Sequence, residues 1–285
     1  MEKVNSSEII SVFRRDPESR LGVKAGYGTS VNTLFAGVIA FVLTVLFFTV
    51  VFFLPDSGFK AAMLDRGPTQ YACVFLGIWS GTILYLKRLK LKIQRSALEL
   101  SVIPPNSDFV LSSQSADDLI SNIYRLSEDP ERLIVFNRIL IAVSNLKNLG
   151  RVSDVDDILR SIGERDEAAH ETSFAITGGF LWAIPVLGFI GTVLGLAGAI
   201  GNFSEILTDD ANINLVIGSL KEVTGGLSTA FETTLVALVI ALVVQLWVTA
   251  QRKAEENFLD DCSGYCLRYI VNRIKILPFE EVREI

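Results

Sequence analysis

The stretch TSFAITGGFLWAIPVLGFIGTVLGLAGAIGNFS, residues 172–204, holds no charged side chain, and VTGGLSTAFETTLVALVIALVVQLWVTAQ, residues 223–251, holds one, Glu232. A hydrocarbon core about 30 Å thick is crossed by roughly 20 apolar helical residues, so each segment is long enough to span a membrane. At about 100° per residue, Pro185, Gly188, Gly191, Thr192, Gly195, Ala199 and Asn202 fall on one face of the first segment, and that face is small or polar. Lipid gains nothing from a small face, whereas a close helix neighbour does. The second segment places Thr229, Glu232, Thr233 and Val236 on one face, with Gly225 and Gly226 just ahead of them. A carboxylate inside a membrane helix is costly, and it marks an ion path or a buried partner.

Half of the 285 residues are apolar, the mean hydropathy is +0.42, and the apolar residues come in runs. This is the composition of a polytopic membrane protein with a modest soluble part. A net charge of -6, with no basic face interleaved with aromatics, excludes a nucleic-acid partner. Cys73, Cys262 and Cys266 form no disulfide framework. Cys262 and Cys266 lie one turn apart, but no neighbouring His or Cys completes a metal site, so they read as helix-packing residues and no metal or cofactor is expected. There is no phosphate-cradling glycine loop, no GxSxG and no HExxH, so no enzymatic role is assigned. The single histidine, His170, reads as a solvated residue at the entrance to the third span.

Residues 1–30 read as a cytoplasmic arm without a cleavable signal peptide, with a short surface helix around Ile9, Ile10, Val12 and Phe13. Residues 31–86 hold two spans. The first, 31–54, ends at Pro55; a loop, 55–68, leads to a weaker span, 69–86, interrupted by Gly77, Ser80 and Gly81. The run KRLKLKIQR, residues 87–95, follows directly. By this reading 23 of the 26 Lys and Arg residues lie on one side of the membrane. The positive-inside rule makes that side, and both termini, cytoplasmic. Residues 87–171 form a cytoplasmic helical domain. In it a helix over 87–100 continues the second span, and a linker covers 101–114. One helix starts at Ser115, a second starts at Asp129–Pro130 and ends at Gly150, and a third starts at Ser153 and runs unbroken into the third span. Residues 172–250 hold spans three and four, and 251–285 a cytoplasmic helix that frays near Pro278. The fold class is all-α: four transmembrane helices with a helical cytoplasmic domain, in an oligomer.

Four features could carry chemistry. Pro185 frees a carbonyl and permits a kink, as packing or as a hinge. Gly188, Gly191, Gly195 and Ala199 provide close helix packing or a conducting surface. Thr192, Thr233 and Thr234 either bond their own backbone or line an ion path. Glu232 is an ion-pair or hydrogen-bond partner, or it faces a water-accessible inner surface, which is the reading favoured here.

These residues resemble the MotA/TolQ/ExbB family of proton-channel subunits. IPVLGFIGTVLGL, residues 184–196, is similar to the family's proline followed by a Gly-Thr-Val-x-Gly segment. GGLSTAFETTLVAL, residues 225–238, is similar to its glycine-rich entry and threonine-bearing helix. The resemblance aligns Thr192 and Thr234 with the pore threonines of the TolQ/ExbB branch, and Pro185 with the channel proline of the MotA branch. Thr229 stands where the TolQ/ExbB branch has a membrane glutamate, and Glu232 lies one turn later. Four spans with one large cytoplasmic part look like MotA. The resemblance implies a homopentamer in a bacterial inner membrane around a single-span partner similar to MotB, TolR or ExbD. That partner would bring the proton-carrying aspartate, and ion flow would become mechanical work. The rival reading is a self-contained ion channel or secondary transporter formed by this chain alone.

Overall fold

The computed structural model describes residues 16–23, 26–100, 102, 113–149, 152–206 and 213–274. These residues are helical, with no strand. In order they form α1 (Pro17–Arg20), α2 (Thr33–Phe53), α3 (Gly58–Leu64), α4 (Pro68–Leu98), α5 (Ser113–Leu126), a 3-10 turn Pro130–Arg132, α6 (Ile134–Leu149), α7 (Val152–Ser173), α8 (Ala175–Ile206), α9 (Ile213–Tyr269) and a 3-10 turn Val271–Arg273. Four helical stretches are long and apolar enough to cross a membrane: α2, α4, α7 with α8, and α9. The surface helix expected around Ile9, the cap at Gly150, most of the 101–114 linker and the fraying at Pro278 lie outside the described residues.

The chain divides into two compact units: residues 33–85 with 174–250, and residues 1–32 with 86–173 and 251–285. The first holds the four spans. In it Trp79 closes the second span onto the first. Its indole N–H donates to the Thr33 carbonyl at 3.1 Å, and its ring lies over Gly37, where an added Cβ would come within 2.8 Å of it. Val51, Met63 and Val74 form a further packed cluster.

The second unit is built on the amphipathic helices α5, α6 and α7. Leu133, Phe136, Ile139, Leu140 and Val143, which recur at helical spacing, are all buried. They share a core with Leu119 and Ile123 of α5, Val155 and Leu159 of α7, Leu91 and Ala97 of α4, and Phe258, Cys262 and Cys266 of α9. Burial pushes the Cys266 thiol up to about 11 and Cys262 higher still, so neither is a reactive thiolate.

Several boundaries differ from the expected ones. The 55–68 loop contains α3, whose first turn is capped by the Ser57 hydroxyl accepting from Lys60 N–H at 3.3 Å. Asp129–Pro130 opens a 3-10 turn instead of an α-helix, because the Asp129 carboxylate is engaged by Arg132 at 2.9 Å and caps no backbone N–H. The helix from Val152 does not run unbroken into the third span, since a turn at Phe174 separates α7 from α8. Ser173 Oγ donates back to the His170 carbonyl at 2.6 Å, the kind of side-chain competition that bends helices.

Candidate functional site

The site residues lie on α8 and α9, whose closest approach is built on glycine. An ideal Cβ on Gly188 would come within 2.5 Å of Ala237 Cβ. One on Gly226 would come within 2.6 Å of Ala199 Cβ and 2.8 Å of the Gly195 carbonyl oxygen. One on Gly195 would come within 3.1 Å of the Gly226 carbonyl oxygen, and one on Gly191 within 2.9 Å of both Thr233 Oγ1 and Thr69 Oγ1. The small face of the third span is therefore taken up by the fourth span of the same chain. Of the two readings of that face, close helix packing is the one these contacts fit. The physical reason is that two backbones can approach this closely only where both surfaces lack side chains. Gly225 is the exception, because nothing lies within 4 Å of its Cβ direction.

The hydroxyls divide along the same line. Thr234 Oγ1 donates to the Gly188 carbonyl at 3.1 Å, a cross-link between the two helices. Thr233 is buried in the seam and bonds the Thr229 and Ala230 carbonyls of its own helix, each at 3.0 Å. Thr192, at the edge of the seam, bonds only the Phe189 carbonyl, at 2.6 Å. Helix α8 continues through Pro185, which is partly buried. Thr192 and Thr234 are not brought together by any bond within the chain. The side chain of Asn202 lies outside the described residues.

Glu232 is held by an arginine. Arg66 Nε and Nη2 donate to its two carboxylate oxygens at 2.8 and 3.1 Å, Arg66 Nη1 donates to Thr229 Oγ1 at 2.9 Å, and Ser228 Oγ donates to Glu232 Oε1 at 2.8 Å. The two partners keep 22% and 33% of their side-chain surface. A planar guanidinium matched to a carboxylate in this way is the strong form of the interaction. Beyond Glu232, residues 233–251 carry no charge. At 1.5 Å per residue they extend about 28 Å, the thickness of a hydrocarbon core. Glu232 thus stands at the end of the apolar stretch, within reach of a loop arginine. In the sequence Arg66 is one cation of the 55–68 loop, with nothing local to tie it to Glu232. The signal that could have found it is the Glu232 carboxylate itself, which needs a cation nearby.

The structure also places charges where composition gave no hint. Within the second unit Lys87 and Glu255, 0% and 2% exposed, pair at 3.0 Å. Lys87 also donates to Ser173 Oγ at 2.8 Å, and Glu255 accepts from Thr29 Oγ1 at 2.6 Å and Gln251 Nε2 at 2.8 Å. His170 Nδ1 lies 3.0 Å from Glu255 Oε2. His170 is therefore buried, which corrects its reading as a solvated residue; the cause is a carboxylate that the sequence places 85 residues away. Lys90 pairs with buried Glu18 and Arg138 with Asp166. Two of the cations in the 87–95 run are thus internal.

Burial alone would raise the Glu255 carboxyl. The bond with His170, the charge of Lys87 and the donors Thr29 and Gln251 outweigh it and hold the group below its ordinary 4.5. Burial pulls the Lys87 ammonium below its usual range, against the pull of Glu255. A carboxylate with a depressed folded pKa contributes stability that is present above the unfolded value and lost as pH falls through the folded one. The thermal midpoint of the purified protein is therefore expected to fall as the buffer is taken below pH 4.5. The Lys87→Met/Glu255→Gln double variant is expected to show a shallower acid limb.

Residues 129–261 match the MotA/TolQ/ExbB proton channel family. No curated protein and no solved structure matches the chain. The MotA/TolQ/ExbB match takes in α6, α7 and α8 whole and α9 as far as Asp261. It is wider than the 184–238 stretch on which the resemblance rests in sequence, and it includes the helices that carry Arg138, Asp166, His170 and Glu255. All the site residues from Pro185 to Thr234 fall inside it; Arg66 and Lys87 fall outside.

Proposed function

We propose that this chain is a proton-conducting subunit of a membrane complex driven by the proton-motive force, oligomeric around a single-span partner that carries the proton-binding aspartate. The observation that carries the reading is the proton-channel family match across both hydroxyl-bearing helices. The geometry supports the need for a partner. Glu232 is paired with Arg66, so among the described residues of the spans no carboxylate stands free for a relay. The glycine seam closes within one chain, so a lumen is walled by other surfaces of α8 and α9. Exposed Phe189, Val193, Leu196 and Ile200 on α8 and Leu235, Leu238 and Leu242 on α9 supply apolar surface for neighbouring copies, lipid or the partner helix. Thr192, partly exposed and bonded to its own helix, is the hydroxyl best placed to meet the partner's carboxyl. Neutralising that carboxyl removes the cost of moving it past apolar walls, and this couples proton transfer to motion and mechanical work. The excess of Lys and Arg on one side supports a cytoplasmic placement of both termini and of the second unit, and the family match supports a bacterial inner membrane.

Thr192→Ala is expected to cut proton flux in the partnered complex with oligomer and thermal midpoint unchanged. Thr234→Ala is expected to cut flux and also to loosen the fold by about 1 kcal/mol, through loss of the bond to Gly188. Thr234→Ser should restore the second effect. Wild-type flux in the double Ala variant removes the site. Proton leak from liposomes holding this chain alone supports the rival reading of a self-contained channel.

A further inference from the structure

Next to the buried pair of His170 and Glu255 the second unit holds a cavity of about 110 Å³. That is room for roughly three waters. Its polar lining includes Tyr27, Thr29, Asp166, His170, Ser173 and Glu255, with Ser30 beside them. Two titratable constellations meet there. On one side is His170 with Glu255, Lys87, Thr29 and Gln251. On the other, one turn earlier on α7, is Asp166. It accepts from Tyr27 Oη at 3.2 Å and Arg138 Nε at 2.8 Å, and Ser263 Oγ accepts from Arg138 Nη1 at 2.8 Å. Ile134, Ala169, Phe258 and Leu259 supply apolar wall.

We propose that this cavity is a hydrated proton-transfer chamber in which His170 takes up and releases the protons that the channel carries. The inference rests on the proton-channel reading and deepens it by naming the residue that hands protons to the cytoplasmic side. Among the groups lining the chamber, each of the others has a reason to keep one state. Glu255 is held as an anion by Lys87 and its hydrogen-bond donors, and Asp166 is committed to Arg138. Burial with Asp166 alongside pushes the Tyr27 phenol up to about 12. Imidazole is the side chain that exchanges protons near neutral pH, and a neighbouring carboxylate stabilises its cation while it holds one. The step balances without a further reactant. A ring nitrogen accepts a proton from a protonated water, and the same proton or the one on the other nitrogen passes to a second water, returning the ring to neutrality. His170 ends three residues before Ser173, the last residue of α7, so it stands at the entrance to the third span in sequence.

The test uses the complex purified from its native membrane with its own partner, placed in liposomes containing a pH-sensitive dye. His170→Gln keeps a side chain that can donate to Glu255 but cannot carry a proton. It is expected to lower proton flux at least tenfold, with assembly and thermal midpoint unchanged. A single histidine gives a single [13Cε1] imidazole resonance. That resonance is expected to move when Glu255→Gln removes the carboxylate that lies 3.0 Å from the ring nitrogen. Flux in His170→Gln equal to wild type, or a resonance that Glu255→Gln leaves unmoved, overturns the chamber while leaving the channel standing. A wild-type complex that conducts no protons overturns the channel reading and the chamber with it.

Discussion

Gly226→Leu is expected to leave no folded protein, while Gly225→Ala, one position away, leaves the fold intact. Both glycines are helical, and Ala is favoured over Gly in a helix interior by about 1 kcal/mol, so propensity alone makes the two positions equal. Packing separates them. A Cβ on Gly226 meets Ala199 Cβ at 2.6 Å and the Gly195 carbonyl oxygen at 2.8 Å. Neither atom is the end of a flexible side chain, so relief requires the two helices to move apart. Even Gly226→Ala is expected to cost about 1–3 kcal/mol, and the branched side chain of Leu adds volume with nowhere to go. Gly225 faces open space, so Gly225→Ala should hold or raise the thermal midpoint. The measurement is thermal unfolding in detergent, followed by intrinsic Trp fluorescence. A Gly226→Leu protein that purifies with a wild-type midpoint would show that the seam is not the contact holding spans three and four. Loss of flux in a well-folded Gly225→Ala variant would place that glycine against a neighbouring copy or the partner.

Lys87→Met is expected to destabilise the protein by about 3–5 kcal/mol, because it strands the Glu255 carboxylate among buried atoms without its cation. The attraction between the pair is not itself the measure of this loss. Removing both charges together in Lys87→Met/Glu255→Gln should recover most of it, since a neutral amide needs no counter-ion and can still bond His170 and Thr29. A double-mutant cycle on denaturation midpoints reads the coupling. Additive single and double variants would show that Lys87 acts as an ordinary interfacial cation of the positive-inside run. The prediction is sharp because the sequence presents Lys87, Arg88, Lys90, Lys92 and Arg95 as one cluster. The fold makes them different: Lys87 and Lys90 are buried and paired, and Arg88, Lys92 and Arg95 are exposed.

Much of this was legible in the sequence. Runs of about 20 apolar residues have one physical solution, a membrane helix with every backbone group bonded internally. The spans, the continuation of the second one past Lys87 and the small face of the third were therefore readable from local chemistry. The period of 3.6 likewise marked Leu133, Phe136, Ile139 and Val143 as core. The family resemblance, carried by thirteen residues around Gly191 and a second string around Thr229, pointed to the same helices that the family match covers.

What could not be read was partnership at long range. Nothing local says that Glu232 meets Arg66, 166 positions away, or that His170 meets Glu255. A hydroxyl's spacing shows which face of its helix it shares, but not whether another helix covers that face; Thr233 is buried and Thr192 only partly covered. The sequence alone determined that four helices are long and apolar enough to cross a membrane, and that two carry glycine and hydroxyls, because hydrophobic length and helical period are properties of a single segment. Only the tertiary structure decided that the glycine face is a closed seam, that Glu232 is tied to a loop arginine, and that the lone histidine is buried beside a carboxylate. Those are matters of which distant side chain supplies the missing charge or the missing volume, and that choice is made when the helices pack.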